Sequence, residues 1–146
     1  MLEKITLSTS KRDEMVNITR FVQKCVDNSG VEEGMCMVYN PHTTAAITVN
    51  ESSDPDVTAD ILIELDKIVP WRDGYRHFEG NSAAHIKSSM FHTSTQLMVH
   101  EGRLLLGQWQ AIYFCEFDGP RSRTFYVKIM PDSDSGNRCV NGAEIQ

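Results

Sequence analysis

The sequence is short of the features that assign a protein quickly. Cysteine is scarce: Cys25, Cys36, Cys115 and Cys139 are scattered, and no two form a CxxC pair. That argues against a cysteine zinc site and against a disulfide framework, and it fits reduced thiols. No apolar run approaches the ~18 to 20 residues of a membrane span. The opening segment, MLEKITLSTSKRDE, lacks the apolar stretch of a signal peptide, so a cytoplasmic protein is expected. Positive charge is also in short supply, with 14 Lys and Arg against 20 Asp and Glu, a net charge of −6 and a pI near 5.3. A nucleic-acid backbone needs a basic face, so neither nucleic acid nor membrane is an expected partner. Neither G-x-G-x-x-G nor G-x-x-x-x-G-K-[ST] occurs, which removes the usual nucleotide loops.

What remains is an ordinary apolar content, 40% of 146 residues, enough for one domain with a core of its own. LEKITLS reads as an opening strand. Residues 11–30 read as a helix, with Ile18, Phe21, Val22 and Cys25 at helical spacing and Asn28-Ser29-Gly30 as its stop. GMCMVYN and HTTAAITVNE read as strands. In the second, His42, Thr44, Ala46, Thr48 and Asn50 share one face, and Thr43, Ala45, Ile47, Val49 and Glu51 the other. Asp54, Pro55 and Asp56 open a helix with an apolar stripe of Val57, Ile61, Leu65 and Ile68, closed by Pro70. A shorter helix starts near Asn81, and strands follow: TQLMVH, the turn EGR, LLLGQWQAIYFCEF, the turn DGPR, and TFYVKIM. The expected order is β-α-β-β-α-α-β-β-β, an α+β chain with segregated helices and antiparallel meanders. Residues 1–130 form the expected domain, and the polar tail 131–146 reads as mobile.

Three polar clusters stand out. YRHFEGNSAAHIKSS sets His77 and His85 around Glu79 and Asn81. Helical geometry puts Ser82, His85, Ser88, Ser89 and His92 on one side, beside an apolar stripe of Ala83, Ile86 and Met90 that should bury. The histidines read either as a metal or acid–base pair, or as a capped helix whose half-buried His85 bonds a carbonyl. A second cluster gathers His42, Asn50, Glu51, Asp54 and Asp56. At ~3.3 Å per residue an unbroken strand separates His42 from Asn50 by roughly 26 Å, too far for one small pocket unless the strand bends or a second subunit intervenes. In the third, GQWQAIYFCEFDGPRSR, Trp109 and Tyr113 read as core and Cys115 as a small core residue. Glu116 is a candidate site residue, and Arg121 and Arg123 are placed to fork a phosphate or a carboxylate.

The blocks HTTAAITVNE, DPDV, YRH, AHIKSS, GRLLLGQWQ and CEFDGPR, in this order over about residues 1–130, resemble the YjbQ-like family. The resemblance implies an α+β domain whose mixed, largely antiparallel sheets form a β-sandwich with helices, assembled as a homotrimer with sites between subunits. It also implies a secondary thiamine-phosphate-synthase activity, a pyrophosphate-releasing transfer between small phosphorylated heterocycles. The residues carried over are His42, Glu51, His77, His85 and Glu116 as catalytic candidates. Asn50, Lys87, Trp109, Gln110 and Arg121 are carried over as substrate or phosphate contacts. His77 and His85 could also hold a divalent cation, Mg or Zn. A non-catalytic trimer binding a small anionic metabolite and a metal-dependent hydrolase stay open as alternatives. Two positions depart from the family pattern: Gln108 where a threonine is usual, and Met90-Phe91-His92 in place of Leu-Leu-Gly.

Overall fold

Residues 1–133 are described in the computed structural model, so the expected tail lies, from residue 134 onward, outside the described residues. The β-branched and aromatic segments build two antiparallel sheets. Strands β1 (Leu2–Ser8), β8 (Ser122–Pro131), β3 (Gly34–Tyr39), β5 (Ser94–His100) and β6 (Arg103–Leu104) form one, in that order. Strands β2 (Glu14–Asn17), β7 (Gln110–Glu116) and β4 (Ala45–Glu51) form the other. Helices α1 (Thr19–Ser29), α2 (Pro55–Ile68) and α3 (Ser82–Met90) complete the described chain, an α+β fold as expected.

Period-2 alternation decides the packing. Ile47, Ile112 and Phe114 of the short sheet meet Cys36, Val38, Phe125, Val127 and Ile129 of the long one, with Ile18, Val22, Cys25 and Val26 of α1 and its approach closing the same core. The opposite face of the short sheet, Ala46, Ala111, Tyr113 and Cys115, packs under Leu65 of α2 and Ala84 of α3. Strand β7 is therefore buried on both faces apart from its first residue, Gln110. Among the described residues the outer face of the long sheet has no such cover, and Tyr39, Met98 and Met130 are exposed there.

Four expectations need correction. Residues 14–17, read as the start of the first helix, form β2, because their backbone completes the edge of β7, pairing Glu14 with Glu116 through Asn17 with Tyr113. Helix α1 starts only at Thr19, whose N–H is taken up by the Asn17 carboxamide oxygen at 3.0 Å. The single strand expected over LLLGQWQAIYFCEF is broken at Gly107–Gln110, where the Gln110 N–H bonds the Gly107 carbonyl and the Gln110 side-chain oxygen accepts from the Gly107 N–H. Finally, DGPR does not close a hairpin. Strands β7 and β8 lie in different sheets, and residues 117–121 carry the chain from one to the other. That passage is tight: a Cβ on Gly119 would stand 2.2 Å from the Lys11 carbonyl oxygen. Among the described residues, no helix is long and apolar enough to cross a membrane.

Candidate functional site

The short sheet has two polar ends. Its register pairs Ala45 with Glu116 at one end and Glu51 with Gln110 at the other. Six residues at ~3.3 Å each put about 20 Å between them. The candidate residues divide between these ends.

At the first end the organising feature is a buried ion pair. Glu116 has no exposed surface. Arg123 grips it with two donors, Nε to Oε2 at 2.7 Å and Nη2 to Oε1 at 2.5 Å. The Thr9 hydroxyl donates to the same carboxylate at 3.0 Å, and the backbone N–H groups of Phe117 and Asp118 donate to Oε1. Arg123 also reaches the Thr44 hydroxyl at 2.7 Å. The fork expected of Arg121 and Arg123 is thus made by Arg123 on a carboxylate of its own chain. Glu116 is fully engaged, so its effect here is to fix the 117–121 passage. That passage presents Asp118 to two neighbours. Arg121 Nη2 lies 2.9 Å from Asp118 Oδ2, and the Asn81 amide donates to the same oxygen at 3.0 Å. Asn81, expected to cap α3, makes no side-chain cap bond and ties the start of the helix to this turn instead.

Helix α3 then carries His85, half-buried, with its ring edge-on to His77 at 5.6 Å between centroids. Glu79 stands 3.7 Å from His77 Nε2. His42 lies at the same end, just ahead of β4. Strand β3 stops at Tyr39, and the His42 Nε2 accepts the next β8 amide, from Thr124, at 2.9 Å. Burial and the nearby Arg123 charge hold the His42 pKa below its ordinary value, which keeps Nε2 free to accept.

Lys87 is placed differently from the expectation. It is 1% exposed, and its Nζ bonds Asp13 at 3.1 Å and Asp66 at 2.5 Å. Arg12 bonds the same two carboxylates and lies over the Trp71 ring at 4.7 Å. Lys87 is held inside the packing by two counter-charges, where a phosphate does not meet it. The buried face of α3 is accordingly Ala83, Ala84 and Lys87, and Ile86 and Met90, expected to bury, are exposed. Asp13 and Asp66 gave no sequence signal, because their partners are remote in the chain.

At the second end, Glu51 accepts from the Ser53 hydroxyl at 2.8 Å, and the Asn50 carboxamide oxygen takes the Glu51 N–H at 2.7 Å. The Trp109 carbonyl accepts from the Ser52 N–H at 2.8 Å. Its indole, expected in the core, is 56% exposed. Tyr113 is core as expected, and its hydroxyl bonds the Glu51 carbonyl. Cys115 is buried, and desolvation pushes its thiol up to about 12, which suits a core residue and not a nucleophile.

Among the described residues, no group of three or more His, Cys, Asp or Glu side chains is arranged to hold a metal ion. His77 and His85 do not form a complete ligand set within one chain, so no chemical step is derived through a metal.

An α+β sandwich with polar ends on its shorter sheet is the class these observations define. The model of the UPF0047 protein YjbQ-like family matches residues 3–132, and the chain belongs to that family. It is 52% identical to the UPF0047 protein YugU of Bacillus subtilis over 131 residues, covering 89% of this chain and 99% of that one. It is 48% identical to the UPF0047 protein MJ1081 of Methanocaldococcus jannaschii over 132 residues, covering 90% and 96%. The crystal structure of an uncharacterized YjbQ/UPF0047 family protein from Clostridium acetobutylicum superposes with a TM-score of 0.86 at 54% identity, covering 88% of this chain and 99% of that one. A protein of unknown function from Sulfolobus solfataricus gives a TM-score of 0.86 at 32% identity, covering 90% and 97%.

Proposed function

We propose that the protein is an enzyme acting on a small phosphorylated heterocycle at a site shared between copies of the chain, with a homotrimer as the assembly. The observation that carries this reading is the division of the candidate residues between two ends of one sheet about 20 Å apart. Each end holds half of what a transfer needs. The first offers imidazoles for proton transfer and an exposed Arg121 for anionic oxygens. The second offers a carboxylate and an exposed indole on which a heterocycle can stack.

The reaction proposed is a pyrophosphate-releasing transfer of the thiamine-phosphate-synthase type. The bond from a pyrimidine methylene carbon to its pyrophosphate oxygen breaks, and the nitrogen of a thiazole phosphate bonds that carbon. Arg121 stabilises charge on the departing oxygens, with the Asp118 turn fixing its guanidinium. Trp109 and Gln110 hold the acceptor ring. The protein is tested by incubation with both precursors and magnesium, beside a panel of phosphate esters. Coupled product supports the reading. Ester hydrolysis alone would assign a hydrolase, and anion binding without turnover would assign a binder. Sharing is tested by mixing His85→Asn and Glu51→Gln chains, each inactive alone. Random assembly restores about a quarter of shared sites, whereas a site within one chain regains nothing.

A further inference from the structure

We propose that the loop 72–80 is a docking arm, seated on the Glu51–Asp56 and Trp109 end of a second copy of this chain. This rests on the shared-site reading above and names the contact that would join its halves. The arm carries Phe78, 93% exposed, between His77 and Glu79. It also carries Arg72 and Arg76, both exposed and without a hydrogen bond or ion pair among the described residues. The loop is nonetheless held at its root, where the Tyr75 hydroxyl donates to the Pro70 carbonyl at 2.8 Å, and Gly74 and Gly80 turn it with φ of 62° and 79°. A single exposed phenylalanine needs no explanation. An exposed aromatic ring on the same short loop as two arginines that bond nothing is a different feature, because aromatic and arginine side chains are those enriched at protein interfaces.

The other end of the sheet is its complement. Trp109 is exposed there, and Glu51, Asp54 and Asp56 line the turn into α2. Phe78 fits against the indole, and Arg76 against the carboxylates, an arrangement that favours one register of docking over others. Heterologous contact of this kind, arm of one copy to sheet end of the next, generates a ring where the rotation from copy to copy closes. It also brings His77 and His85 of one copy to Glu51 and Gln110 of the next.

The test is sedimentation velocity over a range of protein concentrations, with a thermal melt of each variant. Phe78→Ala and Arg76→Glu should each weaken assembly tenfold or more while the melt of the separated chain is unchanged, since both side chains are solvent-facing. Asp56→Arg should weaken it likewise, and the double variant R76E/D56R should recover most of the loss. A wild-type oligomer whose mass survives Phe78→Ala and Arg76→Glu overturns the docking but not the shared site. Loss of that oligomer on Met98→Glu would then place the contact on the open face of the long sheet. Failure of the double variant to recover also overturns the docking. A wild-type monomer at every concentration overturns the docking and the shared site together.

Discussion

Arg123 and Glu116 form a two-point ion pair with almost no solvent access, although they lie in different sheets. The pair therefore ties the two sheets together at the end where Arg121 and Asp118 are presented. Removing one member leaves the other buried and charged, a change that costs about 3–5 kcal/mol. Arg123→Met should lower the melting temperature by more than about 10 °C. Arg121→Ala removes an exposed side chain and should shift stability by less than about 1 kcal/mol, while weakening phosphate-substrate binding. Calorimetry of the two variants separates the roles, and equal destabilisation would refute the division.

Lys87 sits under the same rule. Lys87→Met should destabilise by about 3 kcal/mol, the low end of the range, because Arg12 still bonds both carboxylates. The loss should depend on pH. Burial works to raise the Asp66 carboxyl, but Lys87 and Arg12 overcome it and hold the pKa below the ordinary value. A depressed carboxylate adds stability above its unfolded pKa and loses it as pH falls through the folded one. The gap between wild type and K87M in urea unfolding should thus shrink below about pH 4. A gap independent of pH would show that Lys87 acts through packing alone.

The parts of this molecule legible in its sequence are those set by local rules. Asp54 caps α2, accepting from the Asp56 N–H at 2.9 Å, and Gly30 ends α1 in the left-handed conformation, both from residue type alone. The alternation of β4 correctly separated Ala45 and Ile47 from Ala46. Tertiary pairing defeated the rest. Glu14–Asn17 reads as the start of the first helix, yet the open edge of β7 captures it. Ile86 and Met90 look like a core stripe, but the buried position on that helix goes to Lys87, because Asp13 and Asp66 wait beneath it. The two ends of the candidate site were both visible as polar clusters. Their arrangement was not, since the sheet crossing at 117–121 and the Glu116–Arg123 pair are contacts between sheets.

His42 gives a prediction of opposite chemistry. Its pKa is lowered by burial and by Arg123, and its Nε2 must stay unprotonated to accept from Thr124. The unfolded chain therefore binds a proton more readily near the ordinary imidazole value of about 6.5, and this contribution to stability is lost as pH falls below it. His100 has the reverse tendency, raised by its bond to Glu33, but it is exposed and present in every variant compared. Melting temperature should rise from pH 5.5 to 7.5 more steeply for wild type than for His42→Gln, whose amide oxygen can take the same N–H at any pH. Parallel slopes would mean that His42 does not titrate against folding.

The sharpest prediction concerns His85. Its ring meets His77 edge-on at 5.6 Å, and its carbonyl, not its imidazole, receives the Ser88 and Ser89 hydroxyls at 2.9 and 2.8 Å. The ring therefore contributes little to the helix that carries it. His85→Asn should cost no more than about 1 kcal/mol, the scale of a half-buried polar exchange. If His85 transfers a proton, turnover in the coupled-product assay should nevertheless fall by about 10²-fold or more. A histidine that only packs predicts the reverse, a melt lowered by several degrees with activity per folded molecule kept. Both quantities are read from one preparation. A variant that melts early and turns over normally removes His85 from the site, and leaves Arg121 and the second sheet end to account for any activity found.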